Sequence, residues 1–266
     1  MVENQSLLQI REGNIATLIL NRPERKNALC PELLMNLHEV LTQWARDPDI
    51  RVVVITGGEG PAFSSGYEVQ ELPAGLSNTT GESLGQGNPL EMALDSVVRF
   101  PFPTIAMING FAFGAGLNLA MCCDIRIASA TVSACMPPAR LGLVYPAQGL
   151  RQFVEVIGIA RTKEIFFSGH TYTGQEVLEM GLVDHLVPEE ALRQATYSLA
   201  GEIAANAPLS LKGMKRILAM LTCSDSLSEE HREEADGLVY QSLSSRDLRE
   251  GQKAFAEKRK PAFSGK

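Results

Sequence analysis

The sequence predicts an α/β fold with buried, mostly parallel strands, followed by a helical C-terminal third. Two β-branched runs, residues 16–20 and 52–55, flank a segment whose apolar residues recur at helical spacing. A third run, residues 104–108, precedes a glycine-rich turn, a helix from about Ala115 and a fourth predicted strand over residues 124–129. Strands that alternate with helices in this way favour a parallel sheet that is covered on both faces.

The first predicted helix begins at Pro31, because the fixed φ of proline suits the first position of a helix. Apolar residues follow it at spacings of three, four and three: Leu34, Leu37, Leu41 and Trp44. Farther along, residues 74–88 are rich in Gly, Ser, Thr and Asn and contain few apolar side chains. This composition predicts a mobile loop over the site.

We divide the chain into a core domain of residues 1–188 and a C-terminal helical lobe of residues 189–266. The lobe has helical periodicity, with candidate helices over residues 191–205, 209–221 and 229–256. A helical lobe of this kind is expected to pack on a neighbouring domain or on another subunit.

Composition and charge exclude several classes of partner. The 266 residues are 45% hydrophobic and 21% charged, which is ordinary for a globular protein. Acidic residues outnumber basic ones by 31 to 24, and the formal net charge of −7 argues against nucleic acid or an anionic membrane as a partner. An anionic ligand therefore needs a local basic cluster, and residues 246–266 carry seven basic residues against three acidic ones.

The cysteines and the start of the sequence bear on the compartment. The five cysteines lack the spacings of a disulfide framework or a metal site, and the histidines show no metal-ligand spacing either. The first residues show no signal-peptide or transit-peptide pattern. We therefore expect a reducing compartment, a cytoplasmic protein and no metal.

Two segments share the pattern of a strand, a small-residue turn and a helix start: residues 62–69 and residues 109–116. A helix start leaves backbone N–H groups without acceptors inside the helix. Two such turns that face each other can hold one carbonyl oxygen between two donors, which is the arrangement of an oxyanion hole. Tight packing alone is the alternative interpretation of these glycines.

Six segments in a fixed order resemble the crotonase family, also called the enoyl-CoA hydratase/isomerase superfamily. They extend over nearly the whole chain: LNRPERKNAL (20–29), AFSSGYEVQEL (62–72), INGFAFGAGLNLAMCCDIRIAS (108–129), RLGLVYP (140–146), GLVDHLVP (181–188) and AFAEKRKPAF (254–263). The resemblance implies a spiral of ββα units that assembles into homotrimers or dimers of trimers. It also implies a coenzyme A thioester as substrate and no permanently bound cofactor. The thioester carbonyl is then held by the N–H groups of Tyr67 and Ala115.

The resemblance further implies which residues contact the acyl-CoA. Phe255 and Lys258 fall where members contact the coenzyme, and Lys258 reaches a phosphate as a point charge. Arg25 and Lys26 lie on the loop near which the adenine end binds in relatives. The remaining substrate-binding positions are Ala28, Ser65, Gly66, Glu68, Val69, Gly114, Asn118 and Pro138.

The chain departs from the family's hydratases at both of their catalytic acids. Those hydratases carry one glutamate in the helix after the second glycine turn and one just before the LG of RLGLVYP, and here the two positions are Asn118 and Pro138. Neither an amide nor a proline can exchange a proton near neutral pH. Pro146 stands where other members have an acid or a nucleophilic aspartate. The usual hydratase, isomerase and dehalogenase chemistries therefore lack their residues in this chain.

The same region is similar to the methylmalonyl-CoA decarboxylase branch of the family, in which a tyrosine at the place of Tyr145 contacts the substrate carboxylate. That branch's histidine and threonine are Tyr67 and Pro137 here. Decarboxylation of a malonyl-type thioester needs an oxyanion hole for the enolate. A glutamate beside the departing carboxylate would repel it, so the absence of one is compatible with this chemistry. Tyr145 is therefore the third candidate catalytic residue beside Tyr67 and Ala115. A core tyrosine bonded to a backbone carbonyl is the alternative.

The expected function is the decarboxylation of a malonyl-type CoA thioester by a lyase. Two alternatives stay open: a hydratase or isomerase with a displaced acid such as Glu68, and a non-catalytic acyl-CoA-binding protein. Glu68 and Asp124 are the acids close to the two turns, and turn or helix-end hydrogen bonding is the structural interpretation of both.

Overall fold

The computed structural model of the chain describes residues 6–68, 88–141, 143–221, 234, 245–257, 259 and 261–266. Most of the predicted loop over residues 74–88 lies outside these residues, as does most of the predicted helix 229–256 ahead of residue 245. The described residues form a mixed α/β structure built on two sheets, which confirms the predicted fold class.

Within the described ranges, ten strands form the two sheets. The first sheet has six strands in the order β1 (Leu7–Glu12), β2 (Ile15–Leu20), β3 (Val52–Thr56), β5 (Thr104–Ile108), β7 (Ile125–Ser129) and β10 (His185–Val187). The second has four in the order β4 (Ala62–Ser64), β6 (Phe111–Phe113), β8 (Ser133–Cys135) and β9 (Thr171–Thr173). The pairs β1–β2 and β8–β9 are antiparallel and the other pairs are parallel, so the prediction of mostly parallel strands is confirmed.

The helices follow in chain order as α1 (Pro31–Trp44), α2 (Pro89–Val98), α3 (Ala115–Met121), α4 (Ala147–Ser168), α5 (Gln175–Glu179), α6 (Leu192–Ala204), α7 (Pro208–Leu221) and α8 (Arg246–Ala256). The predicted helix starts at Pro31 and Ala115 are confirmed. Helices α6 and α7 agree with the predicted helices over residues 191–205 and 209–221 to within one residue. Helix α4 is interrupted at Gly158, whose φ of 75° and ψ of 163° are not helical.

Three ββα units follow one another along the chain: β3-β4-α2, β5-β6-α3 and β7-β8-α4. In each unit the first strand joins the six-stranded sheet and the second strand joins the four-stranded sheet. The chain therefore winds as a spiral, as the resemblance implies. Because β4 and β6 are parallel neighbours, the chain leaves both at the same edge of their sheet. This topology brings the residues after Ser64 close to the residues after Phe113.

The central strands of the first sheet are buried on both faces. In β3, Val53 and Ile55 belong to the main core, whereas Val52 and Val54 pack with residues of α6. Successive side chains of a strand point to opposite faces, so the continuous apolar run that predicted this strand reflects cover on both sides. Helix α6 lies in the predicted C-terminal lobe, and the division of the chain at residue 188 stays a prediction.

A membrane-spanning helix is not found in the part of the chain that the structure describes, since none of its helices combines the necessary length and apolar character.

Candidate active site

The two glycine turns lie directly against each other. A Cβ atom added to Gly66 would lie 2.7 Å from the carbonyl oxygen of Phe113 and 3.4 Å from the nitrogen of Ala115. A Cβ atom added to Gly116 would lie 2.6 Å from the Cβ atom of Ser64. Gly66 also has a φ of 96°, which side chains rarely adopt. Glycine at position 66 therefore allows the contact between the turns, and the structure brings together the two segments that the sequence analysis paired.

The second turn presents the start of α3. Gly114 precedes the helix with a φ of 51°, and its N–H group donates to the carbonyl oxygen of Cys135 at 2.9 Å. Ala115 is the first helical residue, so its N–H group has no acceptor within α3. A Cβ atom added to Gly114 would meet no atom of the described residues within 4 Å, so these residues leave space beside this turn.

The first turn is held by the segment around Leu29. The N–H group of Leu29 donates to the carbonyl oxygen of Gly66 at 2.8 Å, and the N–H group of Glu68 donates to the carbonyl oxygen of Leu29 at 3.2 Å. Because successive N–H groups of extended backbone alternate in direction, the N–H group of Tyr67 points away from Leu29.

The loop before α1 is tied to the same turn. The carbonyl oxygen of Lys26 accepts from the N–H group of Ser65 at 3.0 Å, and that of Asn27 accepts from the Ser64 hydroxyl at 2.7 Å. Lys26 and Asn27 both have a left-handed backbone, with φ values of 55° and 53°. These contacts place Arg25, Lys26 and Ala28 next to the first turn, and their contact with a coenzyme stays a prediction.

Arg25 and Lys26 are both exposed, and Arg25 lies near Glu68, the acid of the first turn. The carboxylate of Glu68 forms an ion pair with Arg22 at 2.8 Å, and the Nε atom of Arg25 lies 4.0 Å from the same oxygen. Arg22 also donates to the carbonyl oxygen of Ala28 at 2.7 Å. Glu68 is therefore neutralised by an arginine that the sequence analysis did not select, although Arg22 stands in the LNRPERKNAL segment.

Asn118 lies one turn into α3 and is fully buried. Its side-chain oxygen accepts from the Tyr145 hydroxyl at 2.8 Å, and its Nδ2 atom donates to Oε1 of Gln152 at 2.5 Å. The Tyr145 ring packs on Gly149, where an added Cβ atom would lie 2.3 Å from Cε1 of the ring. Tyr145 therefore bonds within the protein, as in the core-tyrosine alternative, but to a side chain and not to a backbone carbonyl. Gln152 was not predicted to belong to this site.

Tyr145 is a neutral group at the wall of the site. Burial raises the pKa of its hydroxyl well above the ordinary value for tyrosine, with a smaller contribution from Cys122. The ring also packs against Phe166, with ring centres 5.4 Å apart. The hydroxyl therefore stays protonated near neutral pH and takes part in hydrogen bonds without accepting a proton.

The segment of residues 136–138, which precedes Tyr145 in the chain, is apolar and largely buried. Pro138 is buried at the start of a short 3-10 helix, and the N–H group of Leu143 donates to its carbonyl oxygen at 2.9 Å. Met136 is fully buried nearby in sequence, whereas Val144 is 96% exposed. A proline at this position offers neither a proton donor nor a carboxylate to a bound substrate.

Asp124, the other acid near the turns, belongs to the scaffold. Its carboxylate accepts from the N–H group of Thr104 at 2.7 Å, from the Thr104 hydroxyl at 2.9 Å and from Lys215 at 2.6 Å. These bonds join the start of β5 to α7. Asp124 therefore has the expected structural role in hydrogen bonding, although its partners lie at a strand start and on α7 and not at a helix end.

Three predicted site positions fall outside the described structure: Val69, Lys258 and the side chain of Phe255. Across the described residues, no group of three or more His, Cys, Asp and Glu side chains is arranged to hold a metal ion.

Comparisons with known proteins agree on one family. The profile described as enoyl-CoA hydratase/isomerase matches residues 10–266. Enoyl-CoA isomerase/hydratase fer4 of Mycosarcoma maydis is 33% identical over 258 residues, which cover 94% of this chain and 92% of that protein. Methylmalonyl-CoA decarboxylase of Escherichia coli (strain K12) is 30% identical over 254 residues, which cover 95% of each chain. A solved enoyl-CoA hydratase/carnithine racemase from Magnetospirillum magneticum superposes with a TM-score of 0.91 at 33% identity, covering 98% of this chain and 96% of that chain.

Proposed function

The chain belongs to the enoyl-CoA hydratase/isomerase family of acyl-CoA enzymes, and we propose that it removes carbon dioxide from a short malonyl-type CoA thioester. The proposal rests chiefly on the uncharged residues that stand at the two positions of the hydratase glutamates. Asn118 is fully buried and bonded to Tyr145 and Gln152, and Pro138, at the position of the second hydratase glutamate, is buried as well. A reaction at this site therefore has to proceed without a carboxylate that moves protons.

The N–H groups of Tyr67 and Ala115 form the oxyanion hole in this proposal. The direction of the Tyr67 N–H, the position of Ala115 at the start of α3 and the contact of Gly66 with Ala115 all support it. Two donors fixed in advance stabilise the negative charge that develops on a thioester oxygen. The loss of one such donor costs about 3–4 kcal/mol of transition-state stabilisation.

Decarboxylation matches these groups because it needs no protein base. The bond between C2 and the free carboxyl carbon breaks, and its electron pair moves into the thioester carbonyl held by the two N–H groups. Carbon dioxide leaves, and the resulting enolate takes one proton from water at C2. An ionised glutamate at position 118 or 138 would repel the carboxylate before this step.

A hydratase with Glu68 as a displaced acid is less well supported. Hydration needs a group that takes a proton from water and a group that returns one to carbon. The Glu68 carboxylate is held in its ion pair with Arg22, with Arg25 close to the same oxygen. This carboxylate is therefore engaged in the contact between the first turn and the loop before α1, which is the structural interpretation of Glu68.

The names of the relatives are divided among hydratases, isomerases and a decarboxylase, and the decarboxylase supports the proposed substrate class. One of them is named methylmalonyl-CoA decarboxylase and aligns over 95% of this chain. In our proposal Arg25 and Lys26 lie beside the coenzyme, and Lys258 and Phe255 complete its binding site. Assembly into homotrimers or dimers of trimers stays a prediction from the family.

Mass spectrometry of three incubations tests the proposal. The protein is mixed in turn with malonyl-CoA, methylmalonyl-CoA and crotonyl-CoA, and each ester is followed with time. Loss of carbon dioxide from a malonyl-type ester is the expected result. Gain of water by crotonyl-CoA in its place would identify a hydratase, and three unchanged esters would identify a binding protein.

A further inference from the structure

Three buried or half-buried side chains form a hydrogen-bonded row from the wall of the site into the protein. The Tyr145 hydroxyl donates to Oδ1 of Asn118 at 2.8 Å, and Nδ2 of Asn118 donates to Oε1 of Gln152 at 2.5 Å. Asn118 is 0% exposed and Gln152 is 8% exposed. Each donor in the row points inward, toward Gln152.

While the Tyr145 hydroxyl donates inward, it cannot donate a hydrogen bond to a bound anion. A tyrosine hydroxyl has one proton, and while Asn118 accepts it, the hydroxyl can offer only lone pairs to a ligand. A carboxylate also offers only lone pairs, so the two oxygens would repel each other. Tyr145 can bind a substrate carboxylate only if its proton turns outward.

The outward direction is possible because both partners are amides. A half-turn of a side-chain amide exchanges its oxygen and its NH2 group with almost no change of shape. After such a turn, Asn118 donates to the Tyr145 oxygen and needs a donor for its own oxygen. A half-turn of Gln152 supplies that donor. The row is then satisfied in both directions, which buried polar groups require.

We propose that Gln152 is a positioning residue whose amide lets the row reverse, so that Tyr145 donates its hydrogen bond to an anionic acyl group in the site. The inference rests on the proposed function for the identity of that acyl group. Gln152 touches no reacting atom and acts through Asn118 and Tyr145.

The neighbouring titratable groups do not supply the reversal. Cys122 directly follows α3, and its Sγ atom accepts from Nδ2 of Asn118 at 3.8 Å. Burial raises the pKa of its thiol well above the ordinary value. Tyr145 is likewise kept neutral by burial. Farther out, Asp95 of α2 and Glu155 of α4 are each paired with an arginine one turn along their own helix.

The substitution Gln152→Glu tests the role of the amide. An ionised carboxylate only accepts, so Asn118 must keep its NH2 group on residue 152 and its oxygen on Tyr145. A protonated carboxyl group donates as the amide does. We therefore expect kcat for the malonyl-type ester to fall about tenfold or more as the pH rises from about 6 to about 9, while KM changes much less. Gln148→Glu is the matched control, because it places the same charge on an exposed residue one turn earlier in α4.

A double substitution separates this role from a merely structural one. In a Tyr145→Phe background there is no hydroxyl to direct, so Gln152→Glu should change kcat by less than about twofold. An equal fall of kcat in both backgrounds, or a pH profile of Gln152→Glu identical to that of Gln148→Glu, would overturn the inference.

A spectroscopic measurement distinguishes failure of the inference from failure of the proposed function. The tyrosines are labelled with carbon-13 at the ring carbon that bears the hydroxyl, and the Tyr145 signal is the one missing from Tyr145→Phe. If the wild type releases no carbon dioxide, the proposed function fails, and this signal still tests the reversal. Malonyl-CoA should move it in the wild type and in Gln148→Glu but not in Gln152→Glu at high pH. A signal that malonyl-CoA leaves unmoved in the wild type, or moves equally in all three, contradicts the reversal.

Discussion

The Tyr145 hydroxyl donates its proton to the side-chain oxygen of Asn118 at 2.8 Å, so the phenol at the wall of the site is bonded to the buried residue that replaces a hydratase glutamate. This bond joins Tyr145 and Asn118 into one neutral unit. Tyr145 is therefore the first residue to test by substitution.

Replacing Tyr145 by phenylalanine should slow decarboxylation by about tenfold or more, because the substrate carboxylate loses the hydrogen bond that orients it. The measurement is kcat/KM for the malonyl-type ester. Tyr197→Phe is the matched control, since its hydroxyl bonds to Thr17 at 2.8 Å beside the first sheet and away from the turns. An unchanged rate for Tyr145→Phe would remove Tyr145 from the mechanism.

Replacing Gly66 by alanine should separate the two turns. The new Cβ atom would lie 2.7 Å from the Phe113 carbonyl oxygen, at a residue with a φ of 96°. We expect kcat to fall about 100-fold or more, the effect of losing an oxyanion donor. Gly13→Ala controls for backbone strain, because Gly13 has a φ of 61° and a Cβ atom there meets no described residue within 4 Å. Equal activity in the two variants would show that the contact of the turns does not position the donors.

Replacing Asp124 by alanine should lower stability and leave the chemistry intact. The variant loses the bonds to Thr104 and Lys215, and we expect the free energy of unfolding to fall by about 1–3 kcal/mol. Denaturant unfolding measures this change, with Asp95→Ala, an exposed ion pair, as the milder control. A large fall in kcat for the folded Asp124→Ala protein would instead assign the acid to catalysis.

Replacing Lys258 by alanine should weaken acyl-CoA binding by about fivefold at low salt and by less at high salt, because salt screens a phosphate contact. Isothermal titration with the CoA ester measures the affinity. Lys253→Ala is the control, since Lys253 is an exposed lysine of α8 whose Nζ lies 4.0 Å from Glu257. Equal affinities of the Lys258 variant and the wild type would refute the phosphate contact.

The sequence predicted the parts of the fold that have strong local patterns. The apolar runs at β3 and β5 and the helix starts at Pro31 and Ala115 were placed correctly, because burial on both faces and turn chemistry leave a local signature. In the second sheet, β4 and β6 were expected only as the strands that lead into the two glycine turns, and β8 and β9 were missed, since each is only three residues long and forms by pairing with distant segments.

In the candidate site too, the local patterns were predicted from the sequence and the contacts between distant segments were not. The two glycine turns were recognisable from composition, and their contact follows from the parallel pairing of β4 and β6. Gln152 was missed because it lies 34 residues from Asn118, and only the packing of α4 on α3 brings the two amides together. Arg22 was missed because an arginine in a polar segment resembles a solvated surface charge. Its role appears only when the fold places Glu68 beside it.

The most direct test of the central claim uses methylmalonyl-CoA labelled with carbon-13 in its free carboxyl group, incubated with the protein in deuterated water. We expect labelled carbon dioxide, together with a propionyl-CoA product that carries one deuterium at C2 from protonation of the enolate by solvent. An ester that keeps its labelled carboxyl group, in a preparation that adds water to crotonyl-CoA, would contradict it.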